Sequence, residues 1–174
     1  MGEKKTNDSL DAPGLIQFDS KKYGEKYQDH LIEQYRIYVE MADRIGARRT
    51  QANSFFLGIN TALIAAGAAL YKKGYTAPPK LVLIVLVAVL ALCYTWWRLI
   101  KSYRQLNSAK YRIILLLEKH LPSAPYGMEW TMLGEGRNPK LYRPLTTLEG
   151  LVPLLFAVLF ILLGICIAFF PLQG

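Results

Sequence analysis

The chain has 174 residues, a formal net charge of +8 and a hydrophobic fraction of 52%. This fraction is high for a water-soluble protein, and the length leaves no room for a separate catalytic domain beside the membrane segments predicted below. A positive charge can indicate nucleic-acid binding, but most cations here flank long uncharged stretches. We therefore expect them to set membrane topology, and we expect no direct contact with nucleic acid.

Residues 1–20 mix charged residues with proline, glycine and serine, and they predict a flexible N-terminal arm. From Tyr23 to Arg49 the apolar residues recur at spacings of three and four, which is typical of a helix with one apolar face. This face consists of Leu31, Tyr35, Tyr38, Ala42 and Ile45. No proline interrupts the chain before the first apolar stretch, so we expect one continuous helix, or two nearly collinear ones, to enter the membrane.

Three stretches are long and apolar enough to cross a hydrocarbon core of ~30 Å as helices, namely residues 51–71, 80–98 and 149–170. The second ends with aromatic rings that favour the headgroup boundary, Tyr94, Trp96 and Trp97. After Glu149 the chain carries no charged side chain, and residues 149–174 supply the third span and a short outer tail. The sequence therefore predicts an all-α integral membrane protein with three transmembrane helices.

A second apolar face continues beyond the second span as far as Pro122, which ends the helix. It consists of Leu99, Tyr103, Leu106, Ile113, Leu117 and Leu121. Two helices that leave the same side of a membrane, each with an apolar face, should pair. Residues 21–121 thus predict a helical hairpin with a cytoplasmic antiparallel stalk about 30 Å long. Residues 122–148 predict an ordered, irregular loop, in which Tyr126 and Trp130 are candidate contacts for a partner.

Orientation follows from the cations, which accumulate on the cytoplasmic side of membrane proteins. Few of them flank the loop between the first two spans, so we predict a cytoplasmic N-terminus and an outer C-terminus in a bacterial inner membrane. Two clusters would lie at the inner headgroups, one of Arg44, Arg48 and Arg49 and one of Arg98, Lys101 and Arg104. They would either attract anionic lipid or bind an anionic ligand such as a nucleotide.

The first span is rich in small residues, and Gly58, Ala62 and Ala66 recur at every fourth position. Such a row lets helix backbones approach closely in lipid. It would pack either against another span of the same chain or against a second copy. Asn60 and Thr61 are polar at the same depth and predict either an interhelical hydrogen bond or the lining of a pore.

The sequence offers few candidates for catalysis. It has no phosphate-binding glycine loop and no pattern of a hydrolase or zinc protease, and no charged residue lies inside a span. The two histidines, His30 and His120, lack the further ligands that zinc requires. We therefore expect no enzyme, no metal site and no cofactor.

Two segments, RIGARRTQANSFFLGINTALIAA and YTWWRLIKSYRQLNSAKYRIILLLEKHLP, resemble SLATT-type bacterial membrane proteins over about residues 25–121. The resemblance implies a membrane effector associated with nucleotide sensing and phage defence, although the third span departs from the two-span pattern. We predict a non-enzymatic, self-associating inner-membrane effector, pore-forming or membrane-disrupting, that responds to a cytosolic sensor protein or a nucleotide. The alternative is a membrane adaptor that recruits a cytosolic partner protein.

Overall fold

The structure is a computed structural model that describes residues 14–75, 77–138, 141–142 and 145–169. These residues form helices and connecting turns and contain no strand, which confirms the all-α prediction. In chain order the helices are α1 (Ser20–Tyr23), α2 (Tyr27–Lys72), α3 (Pro79–Glu118), α4 (Pro125–Met132) and α5 (Leu145–Phe169), with a 3₁₀ turn at Gly134–Gly136.

Three of the described helices are long and apolar enough to cross a membrane, α2, α3 and the Leu148–Ile167 part of α5. Of the 18 most apolar consecutive residues in each of them, only 11–17% are buried within the chain. Most of this apolar surface is therefore left for lipid or for neighbouring protein. The prediction of three helices able to span a membrane is thus confirmed by their length and composition.

The described residues divide into two compact units. The first, here called the paired-helix unit, contains residues 14–44 and 107–142. In it α2 and α3 run antiparallel, because Tyr35 bonds to Glu118 while Tyr38 lies under the ammonium of Lys110, 5.0 Å from the ring centroid. The core between the two helices is formed by Leu31, Ala42, Ile114 and Leu117.

The second unit, here called the three-helix unit, contains residues 45–106 and 145–169. Two apolar clusters hold its helices together: one is built on Phe56, Trp96 and Ile100, the other on Val89, Cys93 and Phe160. Phe156 of α5 packs against both clusters. Gly164 allows α5 to approach α3 closely, because a Cβ at this position would lie 3.1 Å from the side chain of Leu86.

Two details differ from the sequence predictions. On α3 Leu117 is buried as predicted, but Ile100 and Ile114, which the predicted face lacks, are buried as well, whereas Leu106, expected on the apolar face, is 48% exposed. Residues 122–148 are more regular than the irregular loop that we predicted, since Pro125 begins the two-turn helix α4. Proline suits this first position because the N–H group that it lacks has no partner there in any helix. Most of the predicted N-terminal arm lies outside the described residues.

Candidate functional site

The α2 helix presents two different faces within the three-helix unit. The inner face carries Asn60, which is fully buried. Its side-chain amide donates a 2.8 Å hydrogen bond to the carbonyl oxygen of Phe56, and its Oδ1 accepts a bond from the thiol of Cys93 at 3.6 Å. Of the two roles considered for Asn60, this geometry is that of an interhelical hydrogen bond.

The small residues lie on the outer face of the same helix. Gly58, Ala62 and Ala66 are all exposed, and a Cβ built at position 58 meets no neighbouring atom within 4 Å. Thr61 is exposed as well, and its hydroxyl donates to the carbonyl oxygen of Leu57 at 2.8 Å. The structure therefore does not pack this row against another span of the chain. A neighbouring backbone can approach it without displacing a side chain.

The outer faces of α3 and α5 have a different composition. Large aliphatic side chains protrude from both helices, including Leu83, Ile84 and Val87 on α3 and Leu155, Val158 and Leu162 on α5. Each of these six is at least half exposed. A face of this kind suits contact with acyl chains, whereas a face of glycine and alanine suits a second helix. The three spans are thus not equivalent in what they offer to their surroundings.

Two polar contacts between helices of the three-helix unit were not predicted. The indole N–H of Trp96 donates to Oδ1 of Asn53 at 2.9 Å, and Nε of Arg49 lies 3.4 Å from Oε2 of Glu149. The Arg49 and Glu149 side chains are only 18% and 26% exposed, and these two atoms form an ion pair without a hydrogen bond. Both contacts join helices far apart in sequence, so helical periodicity carries no signal for them.

The six cations predicted to bind anionic lipid or ligand have different environments. Arg49 pairs with Glu149, Arg44 forms a 2.6 Å ion pair with Glu40, and the ammonium of Lys101 lies 5.4 Å from the ring of Trp97. The remaining three are exposed and belong to none of the ion pairs found among the described residues: Arg48, Arg98 and Arg104. The predicted binding role of these six residues stays a prediction.

A buried carboxylate organises the paired-helix unit. Glu118, the last residue of α3, is 2% exposed and accepts three hydrogen bonds of 2.9 Å. One comes from the hydroxyl of Tyr35 on α2, and the others come from the backbone N–H groups of Tyr126 and Gly127. Because the first N–H groups of a helix have no partner within it, Glu118 serves as the cap of α4 from outside that helix.

The two predicted partner contacts both lie on α4. Tyr126 is half-buried, and its ring centroid is 5.8 Å from that of Tyr111. Trp130 is 42% exposed and makes an edge contact with Tyr142. Met128 and Met132 on the same helix are 59% and 73% exposed. Helix α4 thus presents an apolar surface, held in place by Glu118.

Tyr35 provides a pH-dependent test of this cap. Burial, followed by the hydrogen bond to Glu118, raises the pKa of the Tyr35 phenol above its usual value. Above pH ~10 this phenol is ionised in the unfolded chain but stays neutral in the folded chain. Its contribution to the free energy of unfolding is therefore complete below that pH and is lost as the pH rises further. Tyr35→Phe should lower the free energy of unfolding by about 1 kcal/mol at pH 7. Between pH 10 and 11.5, the midpoint temperature of thermal unfolding should fall less steeply for this variant than for the parent protein.

The described residues contain no group of three or more histidine, cysteine or acidic side chains placed to hold a metal ion. Of the two histidines, His30 is exposed, with Nδ1 2.7 Å from the hydroxyl of Tyr23. The contact of His30 is thus with Tyr23, the last residue of α1.

Long apolar helices, polar groups bonded between those helices and large outward apolar faces define an α-helical membrane protein with three spans. The sequence matches the octameric membrane protein family (8xMP) over residues 32–170. This is more than half of the chain, and the chain belongs to that family. The family name supports a homo-oligomer, while the resemblance to SLATT-type proteins is not confirmed. A search of curated proteins and one of solved structures gave no match.

Proposed function

We propose that this protein is a non-enzymatic membrane effector whose copies assemble through the outer face of α2 and open a pathway across the bilayer. The membrane is a bacterial inner membrane, with the N-terminus in the cytoplasm and the C-terminus outside. Assembly responds to a cytosolic sensor protein or a nucleotide, in a signalling system of the phage-defence kind. This last part of the proposal rests on the resemblance to SLATT-type proteins.

The observation that carries the proposal is the exposed row of Gly58, Ala62 and Ala66. In lipid, apolar surface alone gives helices no reason to associate, because acyl chains are as apolar as leucine. Close backbone packing supplies the attraction instead, and it requires small residues on a face that the chain itself leaves open. The outer face of α2 has both features, small residues and no cover from the rest of the chain. The name of the family, moreover, describes an octamer.

A second function, that of a membrane adaptor, is favoured by α4. Trp130, Met128 and Met132 expose an apolar surface on a helix that Glu118 holds in place. Aromatic and methionine side chains are enriched where proteins bind each other. In this case the spans would anchor the chain, the bilayer would stay sealed, and a cytosolic protein would bind α4.

Dye-loaded liposomes that contain the purified protein distinguish the two functions. The parent protein should release the dye under conditions in which it forms oligomers, and Gly58→Leu should reduce both assembly and release roughly 10- to 100-fold, as expected for about 1–3 kcal/mol of overpacking. The monomer should still fold, because a Cβ at this position meets no atom within 4 Å outside the adjacent backbone of α2, and leucine favours helix more than glycine does.

The matched control is Cys166→Leu, which enlarges an exposed side chain on α5 among other aliphatic residues. It should leave both assembly and release unchanged. Liposomes that retain their dye although oligomers form would contradict the effector proposal and support the adaptor. Normal assembly of Gly58→Leu would show that copies meet through another face.

A further inference from the structure

The side of α2 that points away from α3 in the paired-helix unit is mainly acidic. Asp29, Glu33, Glu40 and Asp43 are exposed and recur at helical spacing, opposite the buried residues of this helix. Arg36 and Arg44 lie among them in intrahelical ion pairs. Four carboxylates against two guanidinium groups leave this face with a net negative charge.

The corresponding part of α3 has the opposite charge. Between Asn107 and Leu117 the helix has no aspartate or glutamate, and it carries Lys110 and Arg112. Lys110 lies over the ring of Tyr38 in the contact between the two helices, so Arg112 is the cation on the outer side. Arg112 is exposed and belongs to none of the ion pairs among the described residues. It lies two residues from the fully buried Ile114, so it projects about 200° around the helix from the core.

Exposed apolar side chains flank the acidic face of α2. Ile32, Ile37 and Met41 are 50%, 44% and 39% exposed. A lipid headgroup would not explain this combination. The anionic inner leaflet attracts cations, not carboxylates. A protein surface with a cation beside apolar side chains fits better, and α3 provides one at Arg112.

We propose that the acidic face of α2 docks onto the outer side of α3 around Arg112 in a second copy of this chain. The inference rests on the homo-oligomer of the proposed function and adds which faces meet. A ring needs two different complementary faces on each copy, one for each neighbour. Contact between two α2 faces would bring carboxylates together, whereas contact between α2 and α3 brings opposite charges together.

The axial register of this contact follows from symmetry. Copies inserted in the same direction in a membrane are related by rotation about its normal, without translation along it. Residues at one level within a chain are therefore at one level in neighbouring copies. The long side chains of Tyr35 and Glu118 meet, as do those of Tyr38 and Lys110. In antiparallel helices these contacts place Glu40 of one copy level with residues 108–113 of the next, a range that includes Arg112.

Exposed ion pairs add little free energy individually, so the charges act mainly by selecting which faces meet and in which register. The test therefore measures geometry. Both native cysteines are first replaced, as Cys93→Ser and Cys166→Ala. Copies with Glu40→Cys and one tag are then expressed together with copies that carry Arg112→Cys and another tag. Membranes are treated with a short bismaleimide.

A crosslinked product with both tags is expected, formed from one copy of each kind. The matched control combines Asp29→Cys with Arg112→Cys, since position 29 lies on the same face but about 16 Å of rise away from position 40. Its yield should be at least fivefold lower. Equal yields for the two pairs, or crosslinking only between two Glu40→Cys copies, would overturn the inference. A protein that stays monomeric in native mass analysis would overturn the proposed function as well, whereas oligomers without the 40–112 crosslink would overturn this inference alone.

Discussion

Replacing Glu118 by alanine should destabilise the paired-helix unit by about 3–5 kcal/mol and release α4. Three donors lose their acceptor together, the hydroxyl of Tyr35 and the N–H groups of Tyr126 and Gly127. Each buried donor left without a partner costs about 1–3 kcal/mol, and access of water to the released α4 limits the total. Hydrogen exchange of the amides in residues 126–132 should accelerate more than that of any other described helix.

The matched control for this experiment is Glu129→Ala, which removes an exposed carboxylate from α4 itself. Exposed substitutions of this kind change stability by about 0.5 kcal/mol or less. Glu118→Gln should fall between the two variants, because its amide oxygen still accepts while its NH₂ group faces the backbone donors. Unchanged exchange in α4 for Glu118→Ala would show that apolar contacts alone hold this helix.

Apolar periodicity predicted the helices and the contact face of α2. Leu31, Ala42 and Ile45 of the predicted face are buried in the structure. On α3 the same reasoning was one position off in places, because the true contact face contains polar residues. Lys110 lies on this face, over the ring of Tyr38. A pattern drawn through apolar side chains alone therefore included the exposed Leu106 and left out the buried Ile114.

The cap and the contacts between spans could not be predicted in this way. Glu118 has only apolar residues for five positions before it, and nothing local distinguishes it from a surface carboxylate at a helix end. Its partners are a tyrosine 83 residues earlier and backbone groups 8 and 9 residues later. One local signal for α4 was present, since Pro125 follows the end of α3 and suits the first turn of a helix.

The polar residues of the first span show what composition can and cannot decide. Asn60 and Thr61 are adjacent and were given the same two alternatives. A step of one residue turns the side chain by about 100° on a helix, which is enough to place one inside and the other outside. Asn60 is fully buried, and Thr61 is exposed. Only knowledge of where α3 packs separates the two.

Trp96→Ala should be the most damaging substitution in the three-helix unit, with a loss of about 3–5 kcal/mol. The side chain is 2% exposed, its ring stacks on Phe56 with centroids 5.7 Å apart, and it lies 6.1 Å from the ring of Phe156. One truncation thus removes packing between all three helices. It also leaves Oδ1 of Asn53 without the indole N–H in surroundings of low polarity.

Cys93 allows this loss to be measured, because it is buried in the second apolar cluster, which shares Phe156 with the cluster of Trp96, while Cys166 is exposed. In a Cys166→Ala background, a fluorogenic maleimide reports the temperature at which Cys93 becomes accessible. Trp96→Ala should lower this temperature by about 10 °C or more. Trp97→Ala, which truncates the half-buried neighbouring indole, should lower it much less, and Trp96→Phe should lie between the two because it keeps a ring but loses the donor. Equal shifts for the alanine variants at 96 and 97 would mean that Trp96 does not hold the three helices together.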